Sequence, residues 1–147
     1  MEARPGTYAL VLQCTAAVNV QIGRWGTLQL QPGFYVYVGS AFGPGGVLSR
    51  VSRHCRADKA RRWHIDYLRE HATPVCCWYC HHPEHFEHQW ADAVAKAQEM
   101  VAIDGFGCSD CRCRSHLFYA ENAPQLTAPL KRGTPAGHPV YCEVFKS

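Results

Sequence analysis

The sequence predicts an α+β fold in which a small antiparallel sheet is interleaved with helices. Short runs of aromatic and β-branched residues are separated by glycine and proline turns, which is typical of strands. Between some of these runs, apolar residues recur at helical spacing. Apolar residues make up 47% of the 147 residues, which is enough for one domain with a real core and short for two. We therefore expect residues 1–147 to form a single domain.

The predicted strands are apolar runs with turn signals at their ends. The first begins after Pro5 and Gly6. The second and third are joined by a tight reversal that contains Gly23 and Gly26. The last lies near the C-terminus and is expected at an edge of the sheet. The strands are predicted over residues 7–13, 18–22, 27–30, 34–38, 75–80, 115–120 and 140–145.

Helices are predicted where apolar residues are three or four positions apart. They span residues 47–55, 64–71 and 86–100. Pro74 ends the second helix, because proline cannot continue a helical hydrogen-bond ladder. Segments 43–46 and 105–113 are predicted to be loops. The remaining C-terminal region is rich in proline and only weakly specifies an element.

The charge of the chain is a weak guide to its partner. The formal net charge is +3, which mildly favours a polyanion and excludes nothing. The basic residues of one stretch, which begins within the first predicted helix and continues beyond it, are more informative. They have two interpretations, a solvated helix face or a surface that follows phosphates. The members of this basic stretch are Arg50, Arg53, Arg56, Lys59, Arg61 and Arg62.

The composition also predicts the compartment. No apolar run is long enough to cross a bilayer, and no export leader is recognisable. The nine cysteines are an odd number in tight clusters. We therefore expect reduced thiols and a cytoplasmic protein.

Two short triplets, each with a tyrosine, lie in predicted strands: Gly6-Thr7-Tyr8 and Tyr37-Val38-Gly39. Arg50 follows near the start of a predicted helix, and His54 lies one helical turn further on. A single tyrosine in a strand is most often a packing residue. In this order, however, the residues resemble the GIY-YIG nuclease family, in which two paired strands and the next helix present tyrosines and an arginine to a phosphodiester.

The resemblance implies a role for each matching residue. Tyr8 would act as the general base or position the attacking water, with Tyr37 as its partner. Arg50 would stabilise charge on the phosphoryl group through its planar fork of donors, and His54 would assist. The ordinary pKa of tyrosine is about 10. A nearby cation or arginine must therefore lower the pKa of Tyr8 if it is to act as a base.

The same family carries a metal-binding glutamate on a later helix, followed at i+3 by an apolar residue. Glu87, with Trp90 at i+3, fits this pattern best, and Glu84 and Glu99 are its rivals. A single carboxylate supplemented by waters suits magnesium. The resemblance therefore implies Mg²⁺ or Mn²⁺ as the cofactor, held by Glu87.

Three longer segments, 33–40, 63–68 and 105–111, resemble the Uri-type branch of the family. That branch accommodates both an extra hairpin between the two motif strands and the widened glycine loop before the arginine. The resemblance covers most of the chain, with a motif core over about residues 6–100 and a loop, strand and C-terminal extension over 101–147.

A nucleic-acid-binding surface is predicted next to the triplets, with DNA favoured over RNA. It combines the end of the second triplet, the basic stretch and one histidine. Its residues are Gly39, Ser40, Arg53, Arg56, Lys59, Arg61, Arg62 and His64.

Cysteine and histidine clusters have several interpretations. Cys108, Cys111, Cys113 and His116 have ligand types suited to zinc, but they form one tight patch rather than two separated pairs. The alternatives are that the thiols pack in a loop, or that this loop and the segment His64-Ile65-Asp66 line the catalytic cleft. A second cluster, rich in histidine over residues 76–88, favours adventitious binding of nickel or zinc over a functional site.

The resemblance thus implies a metal-dependent endonuclease that hydrolyses phosphodiester bonds in nucleic acid, with DNA favoured, in repair or DNA processing. The principal alternative is a catalytically silent nucleic-acid-binding module on the same scaffold, stabilised by zinc. A third is an interaction domain in which the motif tyrosines are core residues.

Overall fold

The computed structural model describes residues 1–56, 59–61, 63–104, 106 and 115–145. Within them it confirms the predicted α+β fold, with a six-stranded antiparallel sheet, a two-stranded sheet and four helices. Several predicted positions lie outside the described residues. These are Arg62, Cys108, Cys111, Cys113 and most of the loop expected at 105–113.

The strands and helices agree closely with the predicted elements over the first 80 residues. The strands are β1 (Gly6–Cys14), β2 (Val18–Ile22), β3 (Gly26–Leu30), β4 (Gly33–Ala41), β5 (Thr73–Cys80), β6 (Val101–Ala102), β7 (Leu117–Ala120) and β8 (Tyr141–Val144). The helices are α1 (Gly46–Cys55), α2 (His64–Arg69), α3 (Glu87–Ala95) and α4 (Thr127–Arg132).

The large sheet has the strand order β6-β7-β4-β1-β5-β8, and the small sheet is the β2–β3 hairpin. The hairpin confirms the extra pair of strands expected between the two triplets. β1 lies between β4 and β5 and is buried along nearly its whole length. Its continuous apolar sequence is what a strand covered on both faces requires.

The two faces of the sheet are covered by different elements. Because side chains alternate along a strand, Tyr8 and Leu10 pack in one cluster while Ala9 and Val11 pack in the other. The first cluster also holds buried residues of α1, α2 and the hairpin. The second holds buried residues of α3 and α4. β1 therefore joins two cores through its opposite faces.

The C-terminal half differs from the prediction in three places. The third helix, predicted over 86–100, ends at Ala95, and Glu99 then adopts a left-handed conformation with φ 69° as the chain turns towards β6. β6 has two residues, too few to show a periodic pattern. α4 was not predicted because Pro129 lies within it. Proline is tolerated there, in the first turn, since that position needs no backbone donor.

Two further features follow from the strand pairing. β8 pairs with β5 at the edge of the sheet, as predicted for residues 140–145. β5 begins before Pro74, and the β1–β5 register shifts between Val11 and Leu12, next to the proline. Of the helices in the described residues, none combines the length and apolar character that crossing a membrane demands.

A substitution at Gly6 tests the close packing of β1. A Cβ at this position would lie 1.9 Å from the carbonyl oxygen of Cys80 and 2.9 Å from Cγ2 of Val47. Gly6→Ala should therefore lower the free energy of unfolding by about 1–3 kcal/mol, the usual cost of overpacking. Urea unfolding would measure the change.

Gly43→Ala is the matched control, because a Cβ on Gly43 has no heavy atom within 4 Å among the described residues. It should leave the free energy of unfolding within roughly 0.5 kcal/mol of wild type. Equal stability of the two variants would contradict the packing described for β1.

Candidate active site

The two triplets lie side by side because β1 and β4 are paired. Tyr8 lies opposite Gly39, and Leu10 lies opposite Tyr37. Tyr8 and Tyr37 therefore point to the same face of the sheet, and their ring centroids are 6.4 Å apart. A Cβ on Gly39 would be 2.5 Å from the hydroxyl oxygen of Tyr8. The absence of a side chain at Gly39 is thus what lets the Tyr8 ring lie across β4.

His54 of α1 closes over the two tyrosines. α1 packs on the sheet through Val47 and Val51, and this orientation turns His54 inward, where it is 2% exposed. The hydroxyl of Tyr8 lies 2.7 Å from Nε2 of His54, within hydrogen-bond distance. Nδ1 of His54 has no hydrogen-bond partner among the described residues.

Burial keeps both members of this pair uncharged. It raises the pKa of Tyr8 well above its ordinary value, an effect that the neighbouring Tyr37 reinforces and Arg50 opposes. Burial also lowers the pKa of His54 to about 3, with Asp66 opposing the shift. A base role for Tyr8 requires the opposite shift, so the surrounding residues favour a neutral hydroxyl at this position.

Ser40 joins Arg50 to Glu87 at the end of β4. The Nη1 of Arg50 donates to the carbonyl oxygen of Ser40 at 3.1 Å. The hydroxyl of the same serine donates to Oε1 of Glu87 at 2.9 Å. Arg50 comes from the helix on one face of the sheet and Glu87 from the helix on the other. A single residue therefore brings the predicted arginine and the predicted carboxylate together.

Glu87 also meets two histidines. Its Oε2 lies 3.1 Å from Nδ1 of His116, which is 1% exposed and also lies 3.3 Å from the carbonyl oxygen of Val38. One ligand atom from each of Glu87, His88 and His116 fits within 4.8 Å of the others. This group can hold a metal ion.

The two rivals of Glu87 lie elsewhere. Glu84 is exposed, and its backbone N–H donates to His82. Glu99 is exposed in the turn beyond α3. Among the predicted carboxylates, Glu87 is the one that the described residues connect to Arg50.

Trp63 supports the guanidinium of Arg50. The central carbon of Arg50 lies 4.6 Å from the centroid of the Trp63 ring, and that of Arg53 lies 4.3 Å away. Such cation–π contacts restrict a long side chain while leaving its donors available. Arg50 is therefore held by Trp63 and Ser40 before any ligand binds.

Arg53 has a different role from Arg50, because it neutralises a buried acid. Both terminal nitrogens of Arg53 donate to the carboxylate of Asp66, at 2.9 and 3.0 Å. The Nζ of Lys59 lies 4.0 Å from the same carboxylate, whose side chain is fully buried. Asp66 also accepts a hydrogen bond from the backbone N–H of Trp63 at 2.9 Å. Trp63 is the N-cap residue of α2. This network anchors the ring beneath Arg50.

The other members of the predicted nucleic-acid surface vary in position. Arg56 is exposed at the end of α1. Arg61 pairs with Glu70 at 2.9 Å on the surface. His64 is half-buried, with its ring 5.6 Å from that of Phe106. Arg56 and Arg61 are therefore both exposed, and Arg61 is paired with an acidic side chain.

The sequence does not predict that His88 and His116 lie beside Glu87, because the pairing of β7 with β4 brings His116 to the site. The sequence places His88 in a histidine-rich cluster that favours adventitious metal binding, and it places His116 beside three cysteines. His116 reaches Glu87 because β7 pairs with β4, with Leu117 opposite Tyr37. The adjacent Glu-His pair at the start of α3 was the one local signal that could have indicated this group.

The fold and the site define an α+β protein that clusters tyrosine, histidine, arginine and glutamate side chains at one end of an antiparallel sheet. Residues 7–136 match the family described as a domain of unknown function, DUF123. The chain therefore belongs to the DUF123 family. Neither a curated protein nor a solved structure matches the chain significantly.

The depressed pKa of His54 predicts how stability varies with pH. Unfolded histidine binds a proton near its ordinary pKa of 6.5, whereas folded His54 does so only near 3. Between pH 6.5 and pH 3 the unfolded state therefore binds more protons than the folded state. The contribution of His54 to stability is complete above pH 6.5 and is lost as the pH falls towards 3. When the pH is lowered from about 7 to about 5, the free energy of unfolding of wild type should fall by about 2 kcal/mol more than that of His54→Gln.

Urea unfolding of both proteins at the two pH values measures this difference. The exposed His71 supplies a control, since His71→Gln should keep the pH dependence of wild type. If His54→Gln and wild type lost the same stability on acidification, His54 would not be held neutral as described.

Proposed function

We propose that this protein is a GIY-YIG-type endonuclease that hydrolyses phosphodiester bonds in nucleic acid, with DNA as the favoured substrate and a divalent cation as cofactor. The proposal joins the sequence resemblance to one structural observation. Arg50 and Glu87 contact the same residue, Ser40, beside the paired tyrosines. Phosphodiester hydrolysis needs positive charge at the phosphoryl oxygens and a positioned water, and these are the groups that can supply them.

Arg50 is the residue best suited to the phosphoryl group. Its guanidinium is always charged and can donate to two phosphate oxygens at once. Stacking on Trp63 and the hydrogen bond to Ser40 fix the side chain in advance, so that little conformational entropy is lost when a phosphate binds. Arg50 would therefore stabilise the charge that develops in the transition state.

Tyr8 and Tyr37 would position the attacking water. Tyr8 is buried and its pKa is raised, so it would act as a neutral hydroxyl oriented by His54. Tyr37 is half-buried and is the more accessible of the two. The water oxygen would form a bond to phosphorus as the bond to the leaving oxygen breaks, and the proton of the water would pass to solvent or to the leaving group.

Glu87 would hold the cation, Mg²⁺ or Mn²⁺. The carboxylate of Glu87 suits such an ion, because Ser40 donates to its Oε1 and because it belongs to the group of ligand atoms formed with His88 and His116. When bound there, a divalent cation supplies positive charge to the phosphoryl oxygens. Arg50 would then donate to a phosphate group whose remaining negative charge the cation held by Glu87 would neutralise.

Substitution of Arg50 tests the proposal. Arg50→Ala should lower the single-turnover cleavage rate by roughly 10²–10³-fold or more, because a preorganised donor to the transition state is lost. Arg50→Lys should recover only part of the rate, since a point charge cannot replace the planar fork. Labelled single-stranded, double-stranded and branched DNA, and RNA, form the substrate panel, with and without Mg²⁺ or Mn²⁺.

Arg132→Ala is the control for a general loss of positive charge, because Arg132 is exposed at the end of α4. It should cleave at the wild-type rate. Wild-type cleavage by Arg50→Ala would overturn the proposal. A metal-independent mobility shift without product, across the whole panel, would also overturn it and would indicate a nucleic-acid-binding module.

A further inference from the structure

We infer that Glu87 does not hold its cation alone, and that His88 and His116 complete a site with one carboxylate and two imidazoles that selects a transition-metal ion over Mg²⁺. The inference deepens the proposed function and rests on it for the identity of the site. Its test, however, measures metal binding rather than cleavage.

The spacing of the three side chains suits a single ion. Their ligand atoms lie within 4.8 Å of one another. Ligand atoms bonded to one ion at about 2.1 Å are about 3.0 Å apart at right angles and about 3.4 Å apart in the tetrahedral sites that zinc prefers. The contact of 3.1 Å between Glu87 and His116 already has the spacing of neighbouring ligands. A separation near the 4.8 Å limit would have to shorten for the group to close on one ion.

The site is built into the fold rather than assembled on the surface. His116 is 1% exposed, and its backbone carbonyl accepts from the backbone N–H of Val38 at 2.9 Å. The hydroxyl of Ser40 orients the carboxylate of Glu87. Hydrogen bonds that orient the side chains that ligate a metal typically raise metal affinity about 10–100-fold. His88 is exposed and can complete the set from the first turn of α3.

The chemistry of the donors decides which ion is preferred. Magnesium takes oxygen ligands and keeps most of its waters. Imidazole nitrogens bind zinc, iron, cobalt and nickel more strongly, and two histidines with one carboxylate are a common set for zinc and ferrous iron. The site should therefore retain a transition-metal ion in the presence of a large excess of Mg²⁺.

Cobalt is the probe that distinguishes this site from the cysteine cluster. Co²⁺ added to chelator-treated protein should bind one equivalent at this site, with visible d–d absorption and no sulfur-to-cobalt charge-transfer band. Mg²⁺ in large excess should not displace it. Glu87→Gln and His88→Gln should each weaken Co²⁺ binding by about 10-fold or more.

His88→Gln is the decisive variant, because an exposed side chain can be replaced without unfolding the protein, which is not assured for the buried His116. His71→Gln, exposed at the end of α2, is the matched control and should bind Co²⁺ as wild type does. Equal Co²⁺ affinity of His88→Gln and wild type would overturn the inference. A charge-transfer band for the first equivalent, or displacement by Mg²⁺, would overturn it too.

The two proposals fail differently. Cobalt binding that depends on His88, without cleavage of any substrate, would support the metal site and overturn the nuclease. Cleavage in Mg²⁺ that is unchanged in His88→Gln, together with equal Co²⁺ affinity, would overturn the metal inference and leave the nuclease standing.

Discussion

The Tyr8 ring lies across Gly39, and the arrangement of the tyrosine end of the site depends on that contact. With any side chain at Gly39, a Cβ would lie 2.5 Å from the hydroxyl of Tyr8. The tyrosine would have to move, which would disturb its 2.7 Å hydrogen bond to His54. The same strand then carries Ser40, which contacts both Arg50 and Glu87. One unobstructed stretch of β4 thus aligns groups from β1, α1 and α3.

A buried charge stabilises the other half of the site. Asp66 forms an ion pair with Arg53, and Lys59 lies close by. Two cations of the basic stretch therefore neutralise a buried carboxylate. Breaking such a buried pair generally costs about 3–5 kcal/mol. The same carboxylate caps the helix that begins after Trp63, whose ring supports Arg50. The basic stretch therefore has a structural part, Arg53 and Lys59, in addition to its exposed residues Arg56 and Arg61.

The sequence predicted those elements whose local pattern agrees with their packing. β1, β4 and α1 have continuous apolar runs or clear helical spacing, and the triplets on them were placed correctly. α4 was missed because Pro129 argues against a helix until its position in the first turn is known. The contact between Glu87 and His116 depends on the register of β7 against β4, which no local pattern specifies.

The proposed hydrolysis by water is tested most directly by a single-turnover cleavage reaction in water labelled with ¹⁸O, using wild-type protein and a divalent cation. Direct attack by water predicts the label in a terminal phosphate of the product, no covalent protein–nucleic acid adduct, and loss of the product when Arg50 is replaced by alanine. A trapped adduct on Tyr8 or Tyr37 would contradict it. So would the absence of any labelled product from folded wild-type protein across DNA and RNA substrates.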